Sequence, residues 1–373
     1  MKYYFIQNII APYRVSLFNN LKSLGMDFEV LYMSAKESDR SWAIDIDSLK
    51  YPYHVYSGVY RSLNGFHLHF NPTMIKKCLA LRNAIIILGG SWNDLNVVSI
   101  CLLKRLGLIR SDLCFWAEAN YLTIGASKKN AFRDMLRNFI YSCGNGTYIV
   151  PGRMSVETLY KWRVSVNHVI YLPNVIDESV FGKSIKEYTQ SKSNDIPKFV
   201  IPARLIEKYK GILNFFKKIG RENVLKCKFY VLGNGPDERL YSSYIEENGY
   251  QENIFLEGFK TSKEVFLYYV HSDAMILPSF SDPSPLSLPE GLSVGLPLLV
   301  SNRCGNYFES LENDVNGYLF DPFDEKSVNN AFERFLNERQ RWQSMGEESL
   351  RLFNKNFKQS VVLKKFVSHL KDA

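Results

Sequence analysis

Residues 182–197, "GKSIKEYTQSKSNDIP", divide the chain. They are polar and carry no apolar periodicity, the pattern of a connection between domains. Before them, short apolar runs alternate with longer amphipathic ones. "KYYFIQNI" (2–9), "FEVLYMS" (28–34), "NAIIILGG" (83–90), "DLCFWAEAN" (112–120), "GTYIVPG" (146–152) and "HVIYLPNVID" (168–177) read as strands. "YRVSLFNNLKSLG" (13–25) spaces Val15, Leu17, Phe18, Leu21 and Leu24 as a helix and stops at Gly25. Segments 94–107, 128–144 and 155–164 are expected helices as well. After residue 197 the rhythm restarts. Strands are expected in 198–205, 227–236, 253–259, 273–279 and 295–302, and helices in 212–220, 263–272, 327–345 and 360–370. Strands alternating with helices imply parallel sheets wrapped by helices. The expectation is an α/β protein of two similar domains facing each other across a cleft.

The bulk numbers agree. A chain of 373 residues is long for one core and suits two domains. With 46% apolar and 23% charged residues the composition is globular. No run approaches the ~20 apolar residues of a membrane span. The opening apolar stretch breaks at Pro12 and Arg14, so it reads as a first strand rather than a signal peptide. Six scattered cysteines without CxxC spacing suit reduced thiols and a cytoplasmic protein, not a zinc site. Net charge is +8, unevenly spread: residues 1–173 hold 20 Lys and Arg against 11 Asp and Glu, and the rest 26 against 27. A basic N-terminal half implies an anionic partner there. No nucleic-acid-binding motif accompanies the charge, so nucleic acid is disfavoured.

In open α/β sheets, ligands bind beyond the carboxyl ends of the strands. The notable motifs fall there: "QNIIAPYR", "GGSWND", "WAEAN", "ARLIEKYKG", "GNGP" and "SDPSPLSLPEGLSVGLP" (281–297). Arg204 and Lys210 offer a forked and a flexible cation, a diphosphate clamp or a solvated basic turn. Gly233, Asn234, Gly235 and Pro236 form a tight turn or a close backbone approach, and Glu238 rules out a dinucleotide fingerprint. In the 281–297 stretch Asp282 and Glu290 flank three prolines. Ser287-x-x-Glu290 has the form of a capping box, and the same helix start would suit an anion.

Several pieces, in order, resemble the nucleotide-sugar domain of retaining glycosyltransferases of the GT-B fold, family four. They are "LPNVIDESVF" (172–181, with Val175 where the family has Gly), "PARLIEKYKG", "YVLGNGPDERL", "NIFLEGF", "LYYVHSDAMILPS", "SDPSPLSLPEGLSVGLPLLVS" and "NGYLFDPFD". They span about 150 residues of the C-terminal half; "IIAPYRVSLFNNL", "IIILGGSW" and "FWAEAN" fit more loosely. The resemblance implies two Rossmann-like domains facing across a deep cleft. Residues 1–173 would bind the sugar acceptor, 174–197 would link, and 198–356 would bind the nucleotide sugar. A C-terminal helix, about 357–373, would cross back to the first domain.

The resemblance also implies roles. Glu290 would hold the donor ribose, and Asp282, where the family usually has Glu, the donor sugar. Pro285 stands where a small residue is usual. Arg204 and Lys210 would grip the diphosphate, helped by backbone N–H groups near Leu286 and Ser287. Tyr13, Arg14 and Asn120 would lie on the acceptor side, with Glu118 as an acceptor-binding or base-like group, or else a salt-bridge partner. No metal is expected: "DID" (45–47) precedes no obvious site, and retention in the family needs no carboxylate nucleophile. No cofactor is implied beyond a UDP- or GDP-linked sugar substrate. The reaction would transfer that sugar to a glycan, lipid-linked, in surface polysaccharide biosynthesis.

Two alternatives share the shape: a nucleotide-sugar epimerase, and a catalytically silent nucleotide-sugar-binding partner. His67 and His69 share a face of "FHLHF" without enough further ligands for a metal, so they read as structural or substrate-lining. Segments 102–110 and 128–141 interleave Phe132, Met135, Leu136 and Phe139 with Lys128, Lys129, Arg133 and Arg137. Such a face suits peripheral contact with a membrane or ordinary packing on a sheet.

Overall fold

The computed structural model describes residues 1–37, 45–63, 66–123, 130–181 and 196–372. The first domain is a seven-stranded parallel sheet built from β1 (Lys2–Gln7), β2 (Phe28–Tyr32), β3 (Tyr53–Val55), β6 (Ala84–Leu88), β7 (Asp112–Trp116), β8 (Thr147–Val150) and β9 (His168–Tyr171), in the order β3-β2-β1-β6-β7-β8-β9. An antiparallel hairpin, β4 (Val59–Leu63) and β5 (Phe66–Phe70), stands apart from it. The second domain is a six-stranded parallel sheet of β10 (Lys198–Pro202), β11 (Lys228–Leu232), β12 (Ile254–Gly258), β13 (Ala274–Leu277), β14 (Leu298–Ser301) and β15 (Gly317–Phe320), ordered β12-β11-β10-β13-β14-β15. In both sheets the strand order reverses direction beside the first strand, at β1/β6 and β10/β13. Crevices for ligands open at such points.

Continuous burial along the strands explains why they read as unbroken apolar runs rather than alternating ones. In the first domain Phe5, Phe18, Phe28 and Trp116 pack on one face of the sheet, and Ile6, Ile86, Leu88 and Ile100 on the other. In the second, Phe199 is surrounded by Phe229, Phe332, Phe335 and Trp342. Burying each such ring contributes about 1.5–3 kcal/mol.

The C-terminal helix Gln359–Asp372 crosses back to the first domain. Val362, Leu363, Phe366 and Leu370 are buried beside Phe18 and Ile170, and the Tyr3 hydroxyl donates to the Leu370 carbonyl at 3.2 Å. The connection passes between the cores at residues 175 and 176: Val175 packs in the first domain, Ile176 in the second. Residues 182–195 lie outside the described residues.

The expected helix over 327–345 is two. Helix Glu325–Asn337 ends, residues 339–341 form a 3₁₀ turn, and helix Trp342–Asn356 begins. The break lets Trp342 enter the core, where its Nε1 donates to the Phe335 carbonyl at 3.1 Å. Helices Pro72–Ala80 and Glu238–Asn248 had no expectation attached to them.

Candidate functional site

A cavity of about 680 Å³ lies between the domains, walled by Gln7, Asn8, Tyr13, Arg14, Glu37, Gly89, Trp116 and Glu118 from the first and by Leu286 and Glu290 from the second. Pro12 starts helix Pro12–Ser23 directly after the β1 loop, which sets Arg14 in its first turn. Arg14 is buried. Its guanidinium lies over the Trp116 ring, 3.8 Å from the centroid, and its Nη2 pairs with Oε1 of Glu118. Burial works against the charge, but Tyr13 and Glu118 outweigh it and hold the guanidinium above its ordinary value. Glu118 itself is 38% exposed at the cleft. Arg14 is therefore a fixed cation, stacked and paired, on the cleft wall.

In the second domain the loop after β10 folds into a short helix, Glu207–Lys210, closed by Gly211 at φ 59°. A side chain at Gly211 would meet the Pro278 carbonyl at 2.9 Å, so glycine lets this turn press on the loop after β13. The Tyr209 carbonyl accepts from the N–H groups of Phe280 and Ser281, at 2.8 and 3.1 Å. That docking brings Lys210 Nζ onto Oδ2 of Asp282. Gly233 and Gly235 serve the same loop. A Cβ on either would stand 2.3 Å from the carbonyl oxygen of Ala203 or Leu205. The close approach of "GNGP" is thus to the loop that carries Arg204. Arg204 is exposed and has no ion pair among the described residues.

Glu290 lies on helix Ser287–Ser293, with Leu286 as N-cap. The capping box is not formed. Ser287 is already the first helical residue, no side chain caps the helix, and Oε2 of Glu290 instead accepts from the Tyr269 hydroxyl at 3.0 Å. Burial raises the Glu290 carboxyl to about 7, against the smaller opposing effect of Tyr269. Pro283 and Pro285 leave few amides in the approach to this helix, and the Asn306 side chain holds the Pro285 carbonyl at 3.0 Å.

Residues 185–351 match the family model described as glycosyl transferases group 1. The match covers most of the second domain. The chain is 29% identical over 114 residues to a protein of Escherichia coli (strain K12) named for colanic acid biosynthesis, the glycosyltransferase WcaL, covering 29% of this chain and 28% of that one. It is 29% identical over 99 residues to the alpha-monoglucosyldiacylglycerol synthase of Acholeplasma laidlawii, covering 26% and 24%. The chain thus spans less than a third of the length of these relatives. Its fold matches the crystal structure of Anabaena Alr3699/HepE in complex with UDP over 100% of both chains, with a TM-score of 0.76 and 13% identity. The architecture is GT-B, as the resemblance implies.

In this fold the residues singled out from sequence fall into three sets. Tyr13, Arg14, Glu118, Leu286 and Glu290 meet around the one cavity. Arg204, Lys210, Asp282 and Ser287 lie in the adjoining loops and helix starts at the carboxyl edge of the second sheet. Asn120 is buried against the same loops: its Nδ2 would stand 2.7 Å from a Cβ at Gly305, whose N–H donates to the Asp282 carbonyl at 2.8 Å. Gly233, Asn234, Gly235 and Pro236 support the Arg204 loop from behind. His69 is buried, the side chain of His67 lies outside the described residues, and so do Lys128 and Lys129.

Sequence reasoning passed over Gln7, Asn8, Glu37 and Trp116 in the cavity wall, and Tyr269 behind Glu290. Gln7, Asn8 and Trp116 stood in segments already quoted. Tyr269 stood in the quoted "LYYVHSDAMILPS" and Glu37 in no quoted segment; only the fold brings them there.

Helix Ala131–Tyr141 faces opposite to the packing expectation. Arg137, Ile140 and Tyr141 are buried, whereas Phe132, Met135 and Phe139 are 63%, 59% and 39% exposed. Leu102, Leu106 and Leu108 are exposed nearby, and Arg105 lies 4.1 Å from the Phe139 ring centroid. Among the described residues no helix is long and apolar enough to cross a membrane.

Proposed function

We propose that the protein is a retaining, metal-independent glycosyltransferase. It moves a hexose-type sugar from a UDP- or GDP-linked donor to a lipid-linked glycan at the inner face of the cell membrane, in surface polysaccharide assembly. The observation that carries this is Glu290. It sets a partly desolvated carboxylate on the cleft wall of a group 1 domain, opposite the Arg14–Glu118 pair. An ionised carboxylate accepts two hydroxyl donors, as a ribose diol supplies. Arg204 and Lys210, in loops at the same sheet edge, suit the diphosphate. Asp282, anchored through Oδ2 on Lys210, keeps its other oxygen for the donor sugar.

In the reaction the anomeric C–O bond breaks and its electron pair passes to the diphosphate. Arg204, Lys210 and the N–H groups of Leu286 and Ser287 stabilise that charge as it develops. The attacking hydroxyl of the sugar acceptor forms the new C–O bond on the face the diphosphate leaves. Its proton goes to the departing phosphate oxygen. These groups take the charge-stabilising role a divalent ion fills elsewhere, and the route needs no carboxylate nucleophile, unlike that of retaining hydrolases.

A donor of this class is supported by the UDP complex of the structural neighbour. A lipid-borne acceptor is supported by the name of the Acholeplasma relative and by the exposed Phe132, Met135 and Phe139 face beside Arg105 and Arg133. The test is transfer from a panel of UDP- and GDP-sugars to octyl glycosides and polyprenyl-diphosphate glycans, in EDTA, with the product anomer read by proton NMR. Transfer with retention is expected. Free epimer, or nucleotide binding without turnover, would replace this reading, and loss of turnover in EDTA would overturn the metal-free mechanism.

A further inference from the structure

All six cysteines are free and buried, but they are not alike. Burial raises the thiols of Cys78, Cys114 and Cys227 to about 12, and that of Cys304 further. Cys143 differs. It follows helix Ala131–Tyr141 and, at 8%, is the most exposed of the six. Its thiol is held below the ordinary range, first by a hydrogen bond with the Cys101 thiol and then, against burial, by Arg105 and Lys104. The same contact raises the Cys101 thiol, and burial adds to it. One sulfur of the pair thus ionises readily while its neighbour keeps its proton.

The geometry is reciprocal. Cys101 lies on the buried face of helix Leu95–Arg105. Cys143 Sγ donates to the Cys101 carbonyl at 3.1 Å, and Cys101 Sγ to the Ile140 carbonyl at 3.9 Å. That Ile140 oxygen also accepts from the N–H of Cys143, at 3.0 Å. Each sulfur therefore reaches to the backbone beside the other. Two cations flank them. Arg105 Nη2 donates to the Phe139 carbonyl at 2.7 Å, and Lys104 Nζ to the Ser111 carbonyl at 2.7 Å. The junction binds the end of one helix to the end of the other.

A cysteine buried among apolar groups is inert, whereas one beside Arg or Lys is a nucleophile. Oxidisable thiols pair a readily ionised, reachable sulfur with a resolving one. Cys143 and Cys101 fit those two parts, and Cys78, Cys114, Cys227 and Cys304 fit neither. Cys101 precedes β7 and Cys143 precedes β8, so the pair lies toward the amino edge of the first sheet. The cleft opens at the other edge, and neither cysteine lines its cavity. The pair therefore has no part in sugar transfer.

We propose that Cys143 and Cys101 form a redox site that a hydroperoxide closes to a disulfide, stapling helix Leu95–Arg105 to the end of helix Ala131–Tyr141. The Cys143 thiolate attacks one peroxide oxygen. An S–O bond forms, the O–O bond breaks, and the departing hydroxide takes a proton to become water. Cys101 then attacks the sulfenic sulfur. The S–S bond forms, the S–O bond breaks, and the leaving hydroxyl carries off the Cys101 proton as a second water. Two thiols are oxidised and one peroxide is reduced. Thiol exchange reopens the bond, as in the transient disulfides of reducing compartments. The staple joins the two helices whose Leu102, Leu106, Phe132, Met135 and Phe139 stand exposed.

The test treats the native protein with hydrogen peroxide, unfolds it in iodoacetamide and reads intact and peptide masses. The wild type should lose two hydrogens, with residues 101 and 143 joined and the other four cysteines alkylated. Dithiothreitol should restore six alkylated thiols. Cys101→Ala removes the resolving sulfur, so Cys143 should take up oxygen instead. Cys143→Ala should slow oxidation at Cys101 at least tenfold. Closing the loop from 101 to 143 should raise the melting temperature by about 4 °C or more. Six alkylated thiols after peroxide, or a disulfide through any other cysteine, overturns the proposal. So does oxygen uptake at Cys143 in the wild type with Cys101 left free. A disulfide that leaves the melting temperature unchanged or lower overturns the staple. The wild-type masses decide the pairing even where an alanine variant does not fold.

Discussion

Glu290 sits where its surroundings penalise its charge, so under the proposed ribose role nucleotide binding should depend on pH. Its carboxyl titrates at about 7, raised by burial. A ribose diol donates to the ionised form, so affinity should fall as pH drops through 7. Between pH 8 and pH 6 the Kd for UDP should rise by up to about tenfold, one decade per pH unit below the pKa. Comparing wild type with Glu290→Gln cancels titration of the nucleotide itself; an identical pH slope in both would remove Glu290 from the ribose. The stability sign is opposite. A carboxyl raised above its unfolded value contributes stability that is complete below the unfolded pKa and lost as pH rises through about 7. The empty protein should therefore gain stability from Glu290 at mildly acid pH, while nucleotide binding weakens there.

At the scale of elements, close backbone approach helps to hold the loops at the carboxyl edge of the second sheet. Gly235 allows the "GNGP" turn to lie against Leu205: the Leu205 N–H donates to the Asn234 carbonyl at 3.0 Å, and the Asp237 N–H to the Leu205 carbonyl at 3.1 Å. Gly235→Ala puts a methyl group 2.3 Å from the Leu205 oxygen and should cost about 1–3 kcal/mol as overpacking. It should also move Arg204 and weaken UDP binding. A melting temperature and UDP affinity both equal to wild type would show that the turn has slack. Helix Ala131–Tyr141 makes the second case. It buries Arg137 and turns Phe132 and Met135 outward, an inversion that suits insertion into a lipid surface. Vesicles of phosphatidylglycerol and phosphatidylethanolamine should bind the protein, less so at high salt, and Phe132→Ser with Met135→Ser should reduce binding at least tenfold. Equal sedimentation of wild type and the double variant would remove this face from membrane contact.

For the molecule as a whole, two devices join the domains. The first is the C-terminal helix, which returns to the first domain after the second is complete. It buries Val362, Leu363, Phe366 and Leu370 there, at about 1.5–3 kcal/mol each. That sum is comparable to the whole net stability of a domain. A chain ending before Gln359 should therefore lose the first domain's cooperative unfolding while the second still melts; two intact transitions would refute the dependence. The second device is Glu309, which reaches from the second domain to accept from the Arg153 N–H at 2.7 Å, at the start of helix Arg153–Lys161. Gly152 makes room, since a Cβ there would stand 2.6 Å from a Glu309 oxygen. A carboxylate on a helix N-terminus is favourable, and here it crosses the domain boundary.

The sequence by itself determined the parallel α/β architecture, because apolar runs buried on both faces of a sheet and amphipathic helices between them need no long-range information. It also placed Arg14, Glu118, Lys210, Asp282 and Glu290 beyond the carboxyl ends of strands, since those segments follow directly from the strands. Tertiary structure decided the partners. Glu290 bonds Tyr269 rather than capping its own helix, because the N-cap falls one residue earlier than the S-x-x-E spacing suggests. Only the assembled sheet sets β2, the hairpin and helix Leu95–Arg105 together, and so only the fold joins Glu37, His69 and Asp94. Helix Ala131–Tyr141 shows the same limit. Its periodicity was legible in the sequence, but which face met the sheet was not, because an arginine that finds Trp92 and Trp162 rings within the fold can be buried where a phenylalanine is left exposed.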